Sequence, residues 1–291
     1  MSFMISLKKI IDSEFSFFKA LPALLWQILF LWIPLLFIFI ISFLNYNEIS
    51  INYISLESYV QVFNLTHFRI ILRSLLLAFC NSFICLFLAY PMAYTIAFKI
   101  HRFKNIALFL LTLPFWINFL VHIYSWFFIL ECHGLINNLL EYFKVINEPL
   151  RLINSWFAIM IVMVYAYLPF LILPVYTALE KLDYRLLEAS MDLGASHLKT
   201  FFKIILPITF KGARLGFFLV FVMSFGEFVI PTLMGGGKEM FVGALIWQYF
   251  LTDQNMSLGS AFTTLTGAFL ILALFLINKL TKLIFTYQKD I

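Results

Sequence analysis

Long apolar stretches alternate with short charged stretches along this chain. The apolar stretches are about 20 residues or longer, which is enough for a helix to cross a hydrocarbon core about 30 Å thick. The pattern predicts six membrane-spanning helices, over residues 24–44, 74–98, 106–130, 152–179, 214–234 and 261–285. We therefore expect an all-α membrane protein.

The composition agrees with this pattern. Hydrophobic residues make up 63% of the 291 residues and charged residues 12%, about half of the roughly 25% that is typical of soluble domains. The mean hydropathy is +0.97. A net charge of +5 without a basic patch among exposed aromatic residues argues against a nucleic-acid-binding protein. The three cysteines have no disulfide or metal-site spacing. The first apolar stretch lacks a small-residue cleavage site, so we expect it to be retained as a span.

The basic residues of the chain fall mainly on one side of the membrane. Fifteen are in the two tails and in the second and fourth connections: Lys8, Lys9, Lys19, Lys99, Arg102, Lys104, Lys181, Arg185, Lys199, Lys203, Lys211, Arg214, Lys279, Lys282 and Lys289. Five are on the other side: Arg69, Arg73, Lys144, Arg151 and Lys238. Because lysine and arginine concentrate on the cytoplasmic side, we predict that both termini are cytoplasmic. We expect a single domain over residues 1–291, with a core from about residue 70 to 285.

The connection between the fourth and fifth spans, about residues 180–211, has a helical pattern of its own. Charged residues lie away from one helical face, on which four apolar residues fall: Leu182, Leu186, Ala189 and Leu193. Gly194 follows where a helix would end in the left-handed conformation. Ser196 can cap a second helix over residues 197–206, which Pro207 is expected to end or kink. The connection is therefore predicted to form a helix, a sharp turn and a second helix.

The same connection carries a family signature. Its members are Glu188, Ala189, Ser190, Gly194, Ile204, Leu206 and Pro207. Their spacing resembles the EAA motif, which marks the permeases of binding-protein-dependent ABC importers of type I. The family usually has a second alanine where this chain has Ser190. The resemblance implies a six-helix type I permease fold and a multi-pass location in the cytoplasmic (inner) membrane of a bacterium.

The resemblance also implies that this connection couples the permease to an ATP-hydrolysing subunit. Gly194 would permit the tight turn, and a short helix over residues 195–202 would present Leu198 and Phe201 to a groove of that subunit. Glu188 would hold the geometry of the loop by a hydrogen bond or an ion pair, unless it is a solvated carboxylate. Pro207 would fix the exit angle into the fifth span. The implied set is Glu188, Ala189, Ser190, Gly194, Ala195, Leu198, Phe201, Ile204, Leu206 and Pro207.

This chain has no nucleotide-binding motif of its own. The glycine cluster before Lys238 has Thr232 where a phosphate-binding loop needs its first glycine, and Glu239 replaces the hydroxyl residue that would hold Mg²⁺. We interpret the cluster as an outer turn. The resemblance implies that ATP and Mg²⁺ are bound by the partner ATPase, so we expect no cofactor and no enzymatic activity in this chain.

The fifth span suggests a class of substrate. The segment from Gly226 to Pro231, with Gly235, Gly236 and the Trp247–Gln248 pair downstream, resembles the spermidine/putrescine permeases, although permeases for iron or sulfate share parts of it. An ionisable residue within a span is costly and normally faces a watery cavity or a partner. The candidates for the substrate path are therefore Glu227, Asn118, His122, Tyr124 and Asn81. A structural or solvent-exposed carboxylate remains an alternative for Glu227, as does interhelical hydrogen bonding for the others.

The resemblance implies a complete set of partners. These are a second, similar permease, two ATPase subunits, an extracytoplasmic substrate-binding protein and membrane lipid, with no nucleic acid. A secondary carrier or channel is an alternative, but it leaves the patterned connection unexplained. An intramembrane enzyme is another, but the predicted spans contain no paired aspartates, Ser–His arrangement or HExxH motif.

Overall fold

The computed structural model describes residues 21–47, 50–100, 102–237 and 239–286. Within these residues, six helices are long and apolar enough to cross a membrane: Leu21–Ile41, Leu65–Lys99, Phe119–Tyr142, Trp156–Glu180, His197–Phe225 and Met256–Leu283. The predicted number of spans is thus confirmed. Of the basic residues used for the topology, five lie outside the described residues: Lys8, Lys9, Lys19, Lys238 and Lys289.

The chain divides into two compact units, one of residues 1–64 with 249–267 and the other of residues 65–248 with 268–291. In the first unit, helix α1 (Leu21–Ile41) precedes an antiparallel hairpin of β1 (Leu44–Asn47) and β2 (Ser50–Ile54) and the short helix α2 (Glu57–Val62). The hairpin is a small addition to the predicted all-α architecture. The prediction of one domain stays a prediction.

The second unit contains most of the remaining helices. They are α3 (Leu65–Lys99), α4 (Lys104–Thr112), α5 (Phe119–Leu130), α6 (Leu135–Tyr142), α7 (Trp156–Glu180), α8 (Tyr184–Asp192), α9 (His197–Phe225) and α10 (Val229–Gly235). Helices α11 (Val242–Thr252) and α12 (Met256–Thr286) each run across the boundary between the units. Helices α3, α7 and α9 pack against one another and bury the core, which includes Leu77, Leu171 and Val220.

Small residues bring α9 close to α7. A Cβ added at Gly212 would lie 2.6 Å from both the carbonyl oxygen of Pro174 and the Cβ of Ala178, and one added at Gly216 would lie 3.1 Å from Leu171. Close backbone approach at small residues is a general means of packing helices in membranes, where lipid is as apolar as the side chains. Gly212 and Gly216 of α9 therefore serve the packing of the core.

Polar contacts show which connections share an end of the second unit. Lys104 Nζ lies 2.6 Å from Glu180 Oε1, and Arg214 Nη1 donates to Asn278 Oδ1 over 3.2 Å. We call this the loop end. It gathers the connections predicted to be cytoplasmic, and its assignment to the cytoplasm stays a prediction.

The opposite end, which we call the turn end, is marked by two other contacts. The backbone N–H of Val242 donates to Ser74 Oγ over 2.9 Å. The backbone N–H of Asn154 donates to the carbonyl oxygen of Met234 over 2.8 Å. Asn154, Met234 and Val242 lie in or next to connections that the charge pattern places outside the cell.

Two predicted spans are interrupted, and their predicted bounds were wrong. The span predicted over residues 106–130 is broken by a 3-10 turn at Leu113–Trp116, because Pro114 occupies its first turn and Asn118 caps the next helix. The span predicted over residues 214–234 belongs to a helix that begins at His197 and ends at Phe225. A break from Gly226 to Phe228 then separates it from α10.

Candidate functional site

The connection of residues 180–211, hereafter the coupling loop, folds as a helix, a turn and a second helix. Asp183 caps α8, since its Oδ1 accepts the backbone N–H of Arg185 over 3.0 Å. Gly194 has a φ of 79°, as predicted for the end of that helix. Ser196 caps α9, with its Oγ accepting the N–H of Lys199 over 3.4 Å. The predicted turn and the predicted start of the second helix are confirmed, whereas the first helix begins only at Tyr184, after Leu182, which the prediction placed on it.

A pair of buried hydroxyl groups joins the two helices across this turn. Ser190 Oγ and Thr200 Oγ1 are 2.6 Å apart, and both residues are at most 6% exposed. The backbone N–H of Ala195 also donates to the carbonyl oxygen of Ser190 over 3.1 Å. The departure from the usual alanine at Ser190 therefore has a structural consequence that the sequence analysis did not anticipate.

The predicted apolar face of α8 is divided between the interior and the surface. Leu182 and Leu187 are buried at 7% and 3% exposure. Leu186, Leu193 and Ala189, which were predicted to share the face of Leu182, are exposed. The reason is that the helix starts only at Tyr184, so Leu182 precedes it and does not follow its periodicity.

The apolar side chains next to the turn point away from the core. Leu193 is 89% exposed and Leu198 is 73% exposed. Phe201, which was predicted to face a partner together with Leu198, instead packs on Tyr90 with 5.7 Å between the ring centroids. The neighbouring ring of Phe202 is exposed instead. Leu193 and Leu198 are thus the most exposed of the large apolar residues of the coupling loop.

The remaining residues of the coupling loop differ partly from expectation. Glu188 is exposed, and in the described part of the chain its carboxylate makes no hydrogen bond or ion pair, which fits a solvated carboxylate. Ile204, Leu206 and Pro207 are half-buried. Pro207 does not end a separate helix, because α9 continues through a π-helical turn at Phe201–Ile205. The proline then lies in the first turn of the α-helical segment, where a missing N–H is tolerated.

A cleft of about 370 Å³ lies between α5, α7 and the 3-10 turn that precedes α5. Most of its wall is aromatic: Phe115, Phe119, His122, Trp126, Tyr165, Tyr167 and Phe170. The rings contact one another, with centroids 4.7 Å apart for Phe115 and Phe170 and 5.3 Å apart for Trp126 and Tyr165. Such a wall can bind a cation through the faces of its rings.

Glu227 occupies the break between α9 and α10 rather than the interior of a helix. Its Oε1 accepts the backbone N–H groups of Val229 and Ile230 over 2.9 and 3.3 Å. Its Oε2 accepts a hydrogen bond from the hydroxyl of Tyr167, whose ring lines the cleft. Glu227 therefore satisfies the first N–H groups of α10 and also places a carboxylate directly behind an aromatic wall residue.

The other candidates for the substrate path are dispersed. His122 lines the cleft, 5.6 Å from the ring of Tyr165. Asn118 caps α5, since its Oδ1 accepts the N–H of Leu120 over 2.9 Å. Tyr124 is exposed. Asn81 is fully buried, and its Nδ2 donates to Ser224 Oγ over 2.7 Å, so this side chain joins α3 to α9.

Of the aromatic wall residues, only His122 was predicted from the sequence to belong to the substrate path. Tyr165, Tyr167 and Phe170 follow one another closely in the fourth predicted span, and Trp126 lies in the third. Aromatic residues in membrane helices are common, so this spacing alone carries little signal. These residues form a common wall only because α5 and α7 lie side by side in the fold.

The glycine cluster after α10 forms a turn. Gly236 and Gly237 have φ values of 63° and 69°. A Cβ at Gly236 would lie 2.0 Å from Oδ1 of Asn154, so the close approach of that side chain requires glycine. Since Met234 is at the turn end, this cluster is the turn predicted from the sequence.

Comparisons with known proteins identify relatives over nearly the whole chain. The family model described as "Binding-protein-dependent transport system inner membrane component" matches residues 86–289. The spermidine/putrescine transport system permease protein PotB of Haemophilus influenzae is 37% identical over 94% of this chain and 97% of that protein. PotB of Escherichia coli (strain K12) is 38% identical over 81% of this chain and 86% of that protein.

A solved structure has the same fold. It is a bacterial alginate ABC transporter in complex with an alginate pentasaccharide-bound periplasmic protein. One of its chains superimposes with a TM-score of 0.71 at 16% identity, covering 96% of this chain and 97% of that chain. This chain and that chain therefore share the arrangement of their helices.

Proposed function

This chain belongs to the family of binding-protein-dependent transport system inner membrane components, and we propose that it lines half of an ABC importer's pathway for a polyamine, spermidine or putrescine. The assignment of the substrate rests on the 37% identity, over 94% of the chain, to a permease named for these two polyamines. The chain is not itself an enzyme in this proposal. A separate ATPase subunit binds ATP and Mg²⁺ and hydrolyses the ATP.

The exposed turn of the coupling loop supports the energy-coupling part of the proposal. Leu193 and Leu198 are largely exposed at the loop end, whereas Leu187 and Phe201 fasten the loop to the core. An apolar, rigidly held protrusion of this kind suits docking into a groove of another protein. Two ATPase subunits, a second permease of the same type and an extracytoplasmic substrate-binding protein complete the proposed importer.

The aromatic cleft supports a cationic substrate. Spermidine and putrescine carry protonated amines at neutral pH, and aromatic faces attract such cations by about 0.5–2 kcal/mol each. The carboxylate of Glu227 lies behind Tyr167 and adds negative charge on the same side of the cleft. Alternation between outward and inward access would expose the cleft to one side of the membrane at a time.

Uptake of labelled substrates tests the proposal. Cells that lack this chain are complemented with it and supplied with spermidine, putrescine, ferric iron or sulfate in turn. We expect restored uptake of a polyamine only, abolished by depletion of ATP and insensitive to collapse of the proton gradient while ATP is maintained. Restored uptake of iron or sulfate instead would show that the substrate is not a polyamine. Uptake driven by the proton gradient would contradict transport coupled to ATP hydrolysis.

A matched pair of tryptophan variants connects this uptake to the cleft. Trp126 lines the cleft, whereas Trp116 is 75% exposed and is not among the lining residues. We expect Trp126→Ala to raise the KM for polyamine about 2- to 30-fold through the lost cation–π attraction. Trp116→Ala is expected to leave the KM unchanged. Equal effects of the two substitutions on the KM would contradict a role of the cleft in the substrate path.

A further inference from the structure

A second concavity lies on the flank of the second unit, between α9 and α12. It has a volume of about 490 Å³, and its apolar wall consists of Leu215, Phe218, Val222, Ile271, Leu274 and Phe275. Lys211, Arg214 and Asn278 line its margin at the loop end. We call this concavity the flank groove. It is separate from the aromatic cleft and shares no lining residue with it.

The basic margin of the flank groove lacks acidic partners. Neither α9 nor α12 contains an aspartate or glutamate. Lys211 is exposed and has no carboxylate partner in the described part of the chain. Arg214 is half-buried and is held by Asn278 Oδ1 at 3.2 Å, which leaves most of its guanidinium donors available. The margin therefore offers two positive charges and several N–H donors to an anion.

The length of the flank groove matches one leaflet of a bilayer. From Lys211 to Val222 the groove follows α9 for eleven residues, or about 16 Å at 1.5 Å per residue. Half of a hydrocarbon core about 30 Å thick is about 15 Å. A molecule with an anionic head and acyl chains as long as one leaflet has this distribution of charge and length.

We infer that the flank groove binds an anionic phospholipid, with the phosphate at Lys211 and Arg214 and an acyl chain along Leu215, Phe218 and Phe275. Basic pockets between membrane helices on the cytoplasmic side are known binding places for anionic headgroups. A helix of a second permease is the competing occupant. It is disfavoured because covering Lys211 and Arg214 with protein would require new carboxylate partners.

Native mass spectrometry of the purified importer tests this inference. The importer is loaded with equal amounts of phosphatidylglycerol, which is anionic, and phosphatidylethanolamine, which is zwitterionic. We expect selective retention of phosphatidylglycerol and about a 30-fold loss of its affinity in the Lys211→Gln/Arg214→Gln variant, with about fivefold for each single substitution. Equal retention of the two lipids, or unchanged affinity in the double variant, overturns the inference.

Two matched variants separate the groove from charge in general. Lys211→Arg/Arg214→Lys keeps both charges and is expected to keep the selectivity. Arg69→Gln/Arg73→Gln removes two exposed charges near the turn end and is also expected to keep it. If the double glutamine variant does not assemble, Lys211→Gln alone carries the test, since this side chain is exposed.

Photo-cross-linking from position 275 identifies the occupant. A photoreactive residue replaces Phe275, which is 63% exposed, in the assembled importer. An adduct with the mass of phosphatidylglycerol supports the inference. An adduct with the second permease, without a lipid adduct, overturns it.

Discussion

Replacement of Gly194 by valine tests whether the shape of the turn in the coupling loop matters for transport. Gly194 has a φ of 79°, and a Cβ added there would meet no atom within 4 Å. The substitution therefore costs backbone conformational energy without a clash. The left-handed conformation costs an L-residue about 1–2 kcal/mol, and a β-branched residue lies at the upper end of that range. A cost of about 2 kcal/mol lowers the population of the observed turn about 30-fold relative to other loop conformations.

ATP-driven polyamine uptake in proteoliposomes and binding of the ATPase subunit measure the consequence. We expect both quantities to decrease in the order glycine, Gly194→Asn, Gly194→Ala and Gly194→Val. Asparagine is expected to reduce both quantities least, because this residue tolerates the left-handed conformation. The amount of protein inserted in the membrane is expected to remain unchanged, because the turn packs against nothing at this position.

Gly237 provides a matched control. It has a φ of 69° and likewise no atom within 4 Å of an added Cβ, but it follows α10 at the turn end. Gly237→Val should therefore impose a similar backbone cost without loss of ATPase binding. Normal uptake by the Gly194→Val variant, or an equal loss of ATPase binding in both variants, would refute the reasoning.

Three further substitutions and one control test other contacts. Leu198→Asp should weaken ATPase binding at least about fivefold without altering the amount inserted, as pull-down measures, because this apolar side chain is 73% exposed on the loop. Tyr167→Phe should destabilise the importer by about 1.5–3 kcal/mol through the lost hydrogen bond to Glu227, and an unchanged midpoint of thermal unfolding would contradict this. Gly212→Ala should destabilise the helix packing by about 1–3 kcal/mol because its Cβ would lie 2.6 Å from a backbone oxygen. Gly267→Ala, where nothing lies within 4 Å, should leave stability unchanged or raise it in the same assay.

The features that the sequence predicted well depend on residues close together in the chain. The number of spans follows from continuous apolar stretches, and the turn of the coupling loop follows from Gly194 and Ser196 alone. Both kinds of signal are local, so no knowledge of the tertiary arrangement is needed to interpret them. The division of the apolar residues of α8 was not predictable in this way, because it depends on which side of the loop rests on Tyr90 and the core.

The breaks within the third and fifth predicted spans were missed for a related reason. A hydropathy pattern records how apolar a segment is, and it remains high through a short non-helical stretch. Pro114 could have indicated the first break, but prolines also occur in continuous membrane helices, as Pro91, Pro169 and Pro174 do here. A break at membrane depth requires that the freed backbone groups find partners, and those partners come from elsewhere in the fold.

The hydrogen bonds of Glu227 give this residue a structural role at the break between α9 and α10. From the sequence, the cost of an ionisable residue within a span favoured a role in the substrate path. The carboxylate in fact accepts two backbone N–H groups and the hydroxyl of Tyr167, so its presence is already explained by the start of α10. The case for a path now depends on a different observation, which is that Tyr167 belongs both to the wall of the aromatic cleft and to the hydrogen bond with Glu227. A cation bound at that wall would therefore be attracted by the carboxylate through one intervening ring, while Glu227 continues to hold the helix that follows it.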